Sequence, residues 1–449
     1  MVMASSFGPT LNPRLNQAFG ERPRRSARSS PSALALVAGA AGALLGCNAP
    51  APPEDTGGTD APEGPCGIGA VVISSDYQST SVGLLSWDGA VLSASIASSA
   101  SAPVVLSAPL SGDVTAPTMP LHGGRLALLD RSASVLTWVD ARSGDVTGQL
   151  SVATGFAANP QDYVEVSPAK AYVPRLEPNL APGAQPLDGG SDVLVVDPGA
   201  RALVGRVDLS PAMAGEEPQF HPRPSRAVLV EGSLYVLLTA STLSFLETAA
   251  SRLVEIDTRD DAIKAVTVLE GLHGCTGLAA SGSGARLAVA CSGSFGGDST
   301  STLAEAGLVV LARGEGGLVE ERRWTAGELG EAPPGFSVAF ASEDTVLFTT
   351  LGRDASGGEP SVDDTLTAVD LAGREPAVLL RSQELPFSLG EVRCVAACGR
   401  CLVADAETDG GVVHRFDVGA GGDSRALVHA GAFHVDPRVG LPPRYIGAF

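Results

Sequence analysis

The sequence predicts an all-β fold, a seven-bladed β-propeller of four-stranded antiparallel blades, from three observations. First, an apolar run recurs seven times at intervals of 47 to 60 residues, at 84–88, 136–140, 193–197, 253–257, 308–312, 366–370 and 412–417. A fixed period in this range marks a repeat architecture, and short strands inside each repeat mark a propeller or β-solenoid. Second, Asp88, Asp140, Asp197, Asp257, Asp370 and Asp417 close six of the runs, while the fifth ends on Ala312. Each Asp stands alone where one strand turns into the next, so it reads as a turn former whose carboxylate takes backbone N–H groups. Third, the runs are apolar on both faces, as in Val193-Leu194-Val195-Val196, and call for sheets on either side.

Residues 159–210 show one complete unit. Tyr163-Val164-Glu165-Val166 alternates, Ser167-Pro168 turns, and Ala171-Tyr172-Val173 forms a second strand. A long loop then leads to 192–197, a turn at Pro198-Gly199, and a fourth strand over 202–209. The fourth strand carries charge in several units, as in Glu320-Glu321-Arg322-Arg323, which suits an outer edge that must resist pairing with other chains. Comparable units span 114–152, 226–270, 276–325, 336–382 and 392–432. The first, 70–97, has only three strands, and the tail 443–449 is expected to supply the fourth and close the ring.

The predicted organisation is a lipoprotein signal peptide over 1–46, a tether over 47–65 and the propeller over 66–449. Arg22, Arg24, Arg25 and Arg28 precede an apolar stretch over 33–45, too short for a permanent membrane helix. The sequence Leu44-Leu45-Gly46-Cys47 resembles the lipobox of bacterial lipoproteins, which implies diacylation of Cys47. Asn48 follows, where an Asp would favour inner-membrane retention, so the resemblance implies an outer-membrane lipoprotein, periplasmic or surface-exposed. Residues 48–65 are Pro, Gly, Ala and acid, a disordered linker with nothing to bury. The formal charge of −20 becomes −24 if the five Arg and one Glu before Cys47 are removed, and such a surface repels nucleic acid.

Apart from Cys47, six cysteines remain, an even number that reads as disulfides in an exported protein, with 15 possible pairings. The strand pattern favours Cys275 with Cys291 and Cys398 with Cys401 across a tight turn at Gly399-Arg400. That leaves Cys66 for Cys394, joining the start of the propeller to its last blade.

Asn159-Pro160-Gln161-Asp162-Tyr163-Val164 with Ala171-Tyr172-Val173 resembles the YVTN-type repeats of surface-layer-like bacterial propellers. So do Thr276-Gly277-Leu278-Ala279-Ala280 with Arg286-Leu287-Ala288-Val289-Ala290, and Leu234-Tyr235-Val236. The full Tyr-Val-Thr-Asn is missing, and Pro174-Arg175 stands in its second half. The resemblance covers roughly 66–432 and implies fold and envelope location, not a reaction.

Propellers usually bind on the face formed by loops between second and third strands, together with those joining neighbouring blades. Four such loops in succession are long: 177–191, 240–250, 292–306 and 351–363. Loops clustered on a rigid scaffold commonly carry function. The metal candidate is Asp405-Ala406-Glu407-Thr408-Asp409-Gly410, whose Asp405, Glu407 and Asp409 resemble the first half of a calcium loop. Phe416 stands where its closing Glu belongs, and a solvated acidic turn is the competing reading. His122, His221, His273, His414, His429 and His434 are scattered, with no ligand spacing. Catalytic residues are not identified: a Gly-x-Ser-x-Gly elbow, a P-loop and HExxH are all missing. The expected function is a non-catalytic binding or scaffold module for a protein or glycan partner, acting through the loop-rich face. The alternative is a metal-dependent lyase or hydrolase with its site in the central channel.

Overall fold

The computed structural model describes residues 66–102, 105–121, 123–294, 303–330, 332–353, 361–373, 375–382, 387–407, 410–419, 427–438 and 440–449. The signal region, Cys47, the tether, Asp409 and His122 lie outside them.

Seven four-stranded antiparallel sheets form a ring. The unit read from residues 159–210 is β8 (Val164–Ser167), β9 (Lys170–Pro178), β10 (Gly190–Asp197) and β11 (Ala202–Val207). These pair in chain order from the axis outward. The middle strands are buried on both faces, as β10 shows, whereas the outermost β15 (Ile263–Val268) alternates half-buried and exposed positions. That contrast follows from place: a middle strand is sandwiched between neighbouring blades, and an outer strand meets water. The seam between blades 3 and 4 buries Val164, Tyr172, Val193, Val236 and Val254. Each side chain of this size contributes about 1.5–3 kcal/mol on burial.

Three of the six Asp at the strand ends act as expected. Asp140 Oδ1 accepts N–H groups of Arg142 (2.8 Å) and Ser143 (3.2 Å), Asp197 accepts that of Ala200, and Asp257 that of Arg259. Asp88 and Asp417 depart from the pattern: Asp88 pairs with Arg400 of blade 7 and Asp417 with Arg415, each at 2.9 Å.

The tail closes the ring. Strand β28 (Pro443–Ala448) pairs with β1 (Ala70–Ser75), setting Val72 opposite Ile446 and Ile73 opposite Tyr445. It is the innermost strand of blade 1, whose order is β28, β1, β2 (Thr80–Leu85) and β3 (Val91–Ser98).

The disulfides correct the expected connectivity. Cys275–Cys291 forms as expected, from partners that face each other in register. In blade 7, however, Cys401 joins Cys394, and Cys398 joins Cys66. The reason is local. Cys394 on β24 (Leu389–Val395) lies directly opposite Cys401 on β25 (Arg400–Asp405), with Cα atoms 4.0 Å apart. The connection between them is a 3₁₀ turn over Ala396–Cys398 followed by left-handed Gly399, wider than a tight hairpin, and it carries Cys398 toward the chain start. The expected link between the start of the propeller and its last blade therefore exists, through a different cysteine.

Candidate functional site on the loop-rich face

Strand directions alternate, so loops between second and third strands share one end of the ring with the connections between blades. On that end β9 and β10 bring Arg175 and Asp192 together, both 0% exposed. Arg175 Nε and Nη2 bind the two Asp192 oxygens at 2.7 Å each. A buried ion pair is tolerable only when its remaining polar groups are also satisfied. Here Nη1 donates to Thr154 Oγ1 (2.6 Å) and the Val152 carbonyl (3.1 Å), and Nη2 also donates to the Leu187 carbonyl (2.7 Å). Above this pair the loop is wound on Asp188, whose carboxylate takes the N–H groups of Gly183, Ala184 and Gln185. Those donors, Gln185 foremost, hold its carboxyl below the ordinary value.

A second buried guanidinium fastens blade 3 to blade 4. Arg223 is 0% exposed, at a positive φ of 53°. It pairs with Glu177 of the blade 3 loop, donates to the carbonyls of Thr242 and Leu243 in the blade 4 loop (3.3 Å each), and lies 4.2 Å from the Phe245 ring centre. Burial pushes its pKa down, against the pull of Glu177. The long loops of two successive blades are thus held as one body.

Between blades 4 and 5 a polar chain runs from His273 Nδ1 to Thr248 Oγ1 (3.0 Å), to Ser294 Oγ (2.7 Å) and to Glu305 Oε2 (2.5 Å). Its only obligate acceptor is the carboxylate, so a full set of hydrogen bonds runs every donor toward Glu305. The hydroxyl next to the imidazole then accepts from it. A nucleophile activated by a base must donate instead, so the direction is wrong for that chemistry.

The ring's centre is occupied by charge. Arg226 of blade 4 reaches Glu391 of blade 7 at 3.4 Å, across the ring. Arg393 binds the same carboxylate oxygen at 2.7 Å and donates to the carbonyls of Thr118 (2.7 Å) and Ile446 (3.0 Å). Asp162 takes the N–H groups of Thr118 (2.8 Å) and Ala227 (3.0 Å), and Met119 packs between the clusters of neighbouring blades. Guanidinium groups stand where a channel metal would need imidazole and carboxylate donors. Among the described residues no three His, Cys, Asp or Glu converge as a metal-holding group.

The calcium candidate divides. Asp405 ends β25, buried, with Oδ2 bound by His414 Nε2 (3.0 Å) and Oδ1 by the Glu407 N–H (3.0 Å). Asp409 lies outside the described residues, and Phe416 is buried against His429. His414, buried mid-strand, bridges Asp405 and His429, whose Nε2 is 3.1 Å from its Nδ1. Adjacent strands β26 (Val412–Val418) and β27 (Leu427–Phe433) bring the two rings together, which linear spacing does not reveal. Burial, then His414, lowers the His429 pKa.

On the opposite end a cleft of about 240 Å³ opens between blades 2 and 3, walled by Trp138, Pro168 and Pro198. Its two cations are engaged, Arg125 with Glu165 and Arg201 with the Thr147 carbonyl.

No protein-family model and no curated protein matches this chain. Solved structures do match. A protein of Lactobacillus plantarum is 10% identical with a TM-score of 0.53, over 85% of this chain and 99% of that one. A putative 6-phosphogluconolactonase of Bacteroides fragilis is 11% identical with a TM-score of 0.52, over 85% and 98%. At such identity the likeness establishes the β-propeller fold, and that fold alone.

Proposed function

We propose that this chain is an outer-membrane lipoprotein of the bacterial envelope, anchored through Cys47 and tethered by 48–65. Its propeller binds a protein partner through the loop-rich face and catalyses nothing. One observation carries this reading: fully buried Arg175 braces the blade 3 loop from beneath, and fully buried Arg223 ties that blade to the blade 4 loop. Loops ordered before contact lose little conformational entropy on binding, which is what a recognition surface needs. Three disulfides fit an exported protein. Leu180, Leu243 and Leu246 are exposed on these loops, and apolar side chains of that kind favour a protein over a glycan.

Photo-crosslinking in cells tests the reading, with the reactive residue placed at Leu246 or Asp363 on this face, or at Ser143 on the opposite one. One dominant partner joined from the loop-rich face, together with release of Cys47→Ala from the membrane fraction, is the expected result. Crosslinks from Ser143 alone, or from no position, would sink it.

A further inference from the structure

The loops of blades 3 and 4 sort their charges by depth. Arg175 and Arg223 are fully buried, Arg252 is nearly so and pairs with Glu216, and Arg206 is held between Asp192 and Asp208. His221 is held toward its neutral form, by burial first and then by Arg223. The cations of this region are therefore each held by a carboxylate, while Glu217 and Glu247 are exposed and the Asp208 side chain is 55% exposed. The long loops on the same end of the ring carry three leucines with little cover: Leu180 is 71% exposed, Leu243 49% and Leu246 59%. One guanidinium joins their loops, because Arg223 binds Glu177, three residues before Leu180, and the Leu243 carbonyl itself. Apolar side chains held on a braced backbone within a carboxylate field make a self-consistent docking surface.

We propose that this surface receives a basic amphipathic protein segment, whose apolar side chains pack on Leu180, Leu243 and Leu246 while its Lys or Arg side chains meet Glu217, Glu247 and Asp208. The proposal rests on the binding role given above and specifies the partner's chemistry. Acidic rims also hasten encounter with a basic partner, and that advantage fades with salt.

The test uses the full chain and two fluorescent 14-residue helical peptides, one of alternating Leu and Lys faces, the other with Glu in place of Lys. The Leu/Lys peptide should bind saturably, weaken as salt rises, and lose at least tenfold in affinity against the double variant Leu243→Ser/Leu246→Ser. These positions are exposed, so the variant's melting should match the parent, and a circular dichroism melt checks this. Equal binding by the double variant, or equal binding of the Leu/Glu peptide, overturns the proposal. Peptide sequencing of the crosslinked partner separates the two claims. A basic, leucine-bearing segment joined at Leu246 supports both. A partner joined from Asp363 alone, or a polysaccharide joined at Leu246, leaves binding by this face standing and overturns the basic segment.

Discussion

Between blades 3 and 4 the fastening is ionic and lies on the loop-rich end, where Arg223 joins Glu177 to the carbonyls of Thr242 and Leu243. Between blades 7 and 1 backbone and sulfur are added to the Asp88–Arg400 ion pair: β28 adds a strand to β1, and Cys66–Cys398 ties the chain start to a turn on the opposite end. The two seams face different problems. Blades 3 and 4 are consecutive, so their approach costs little loop entropy, and the ion pairs there shape a surface. Blades 7 and 1 meet only when the whole chain has folded, across a separation of 332 residues, so a shared strand and a covalent link reinforce the Asp88–Arg400 pair there.

That contrast is open to attack at several strengths. The largest effect is expected from ending the chain at Leu441. This removes β28 with buried Ile446 and Phe449 and exposes the edge of β1. The loss is at least about 5 kcal/mol by area, comparable to a domain's whole stability, so cooperative thermal unfolding should disappear. A truncated chain that melts like the parent would show that the seam is not a closure.

Next comes the disulfide. Cys66→Ser/Cys398→Ser should cost about 5 kcal/mol in urea unfolding, at the upper end for a crosslink, because the loop it closes is very long. Cys394→Ser/Cys401→Ser, whose partners are 7 residues apart, should cost only about 2–3 kcal/mol. Equal costs would mean that closure entropy is not what Cys66–Cys398 supplies.

The ionic brace within blade 3 is tested by Arg175→Met, which leaves buried Asp192 with only the more distant Arg206 at 3.5 Å and should cost about 3 kcal/mol. Adding Asp192→Leu should recover most of that loss in the same urea titration, since both charges are then gone. No recovery would show that the guanidinium's bonds to Val152, Thr154 and Leu187 matter more than the pair.

Much of this fold was legible because the repeat is written in apolar runs that depend only on local alternation. The strand-short first unit and the unassigned tail also announced the closure between them. Cys394–Cys401 was misread because a tight turn was assumed at Gly399, and the 3₁₀ turn over Ala396–Cys398 leaves no local apolar signature. The loop braces were harder still. Arg175 did stand out, as a charge at the end of the apolar stretch Ala171-Tyr172-Val173 and a departure from the YVTN pattern. An Arg buried in a strand needs a buried acid, yet Asp192 lies 17 residues on, and only the sheet register identifies it. Arg226, Glu391 and Arg393 carry a similar signal, as charges in inner strands, but the Arg226–Glu391 pair spans blades 4 and 7 and no spacing in the sequence marks it.

A smaller effect should follow pH. The Asp188 carboxyl sits below its ordinary value in the folded chain, so its contribution is present above the unfolded value near 3.9. It is lost as pH falls through the folded value. Asp188→Asn should therefore flatten the acid side of the pH–melting profile without changing the disulfide-bonded seam. An unchanged acid slope would remove Asp188 from the brace.

The central claim is that the blade 3 and blade 4 loops are fixed before any partner arrives, and amide hydrogen exchange measures it directly. The N–H groups of Gly183, Ala184 and Gln185, all donated to Asp188, and that of Thr242, donated to the Glu247 carbonyl, are the reporters. The account predicts exchange roughly a thousand-fold slower than in an unstructured peptide for these four, since opening must first break the braces beneath them. Exchange at the unstructured rate would contradict it, and would turn the loop-rich face from a preformed surface into one that orders only on contact.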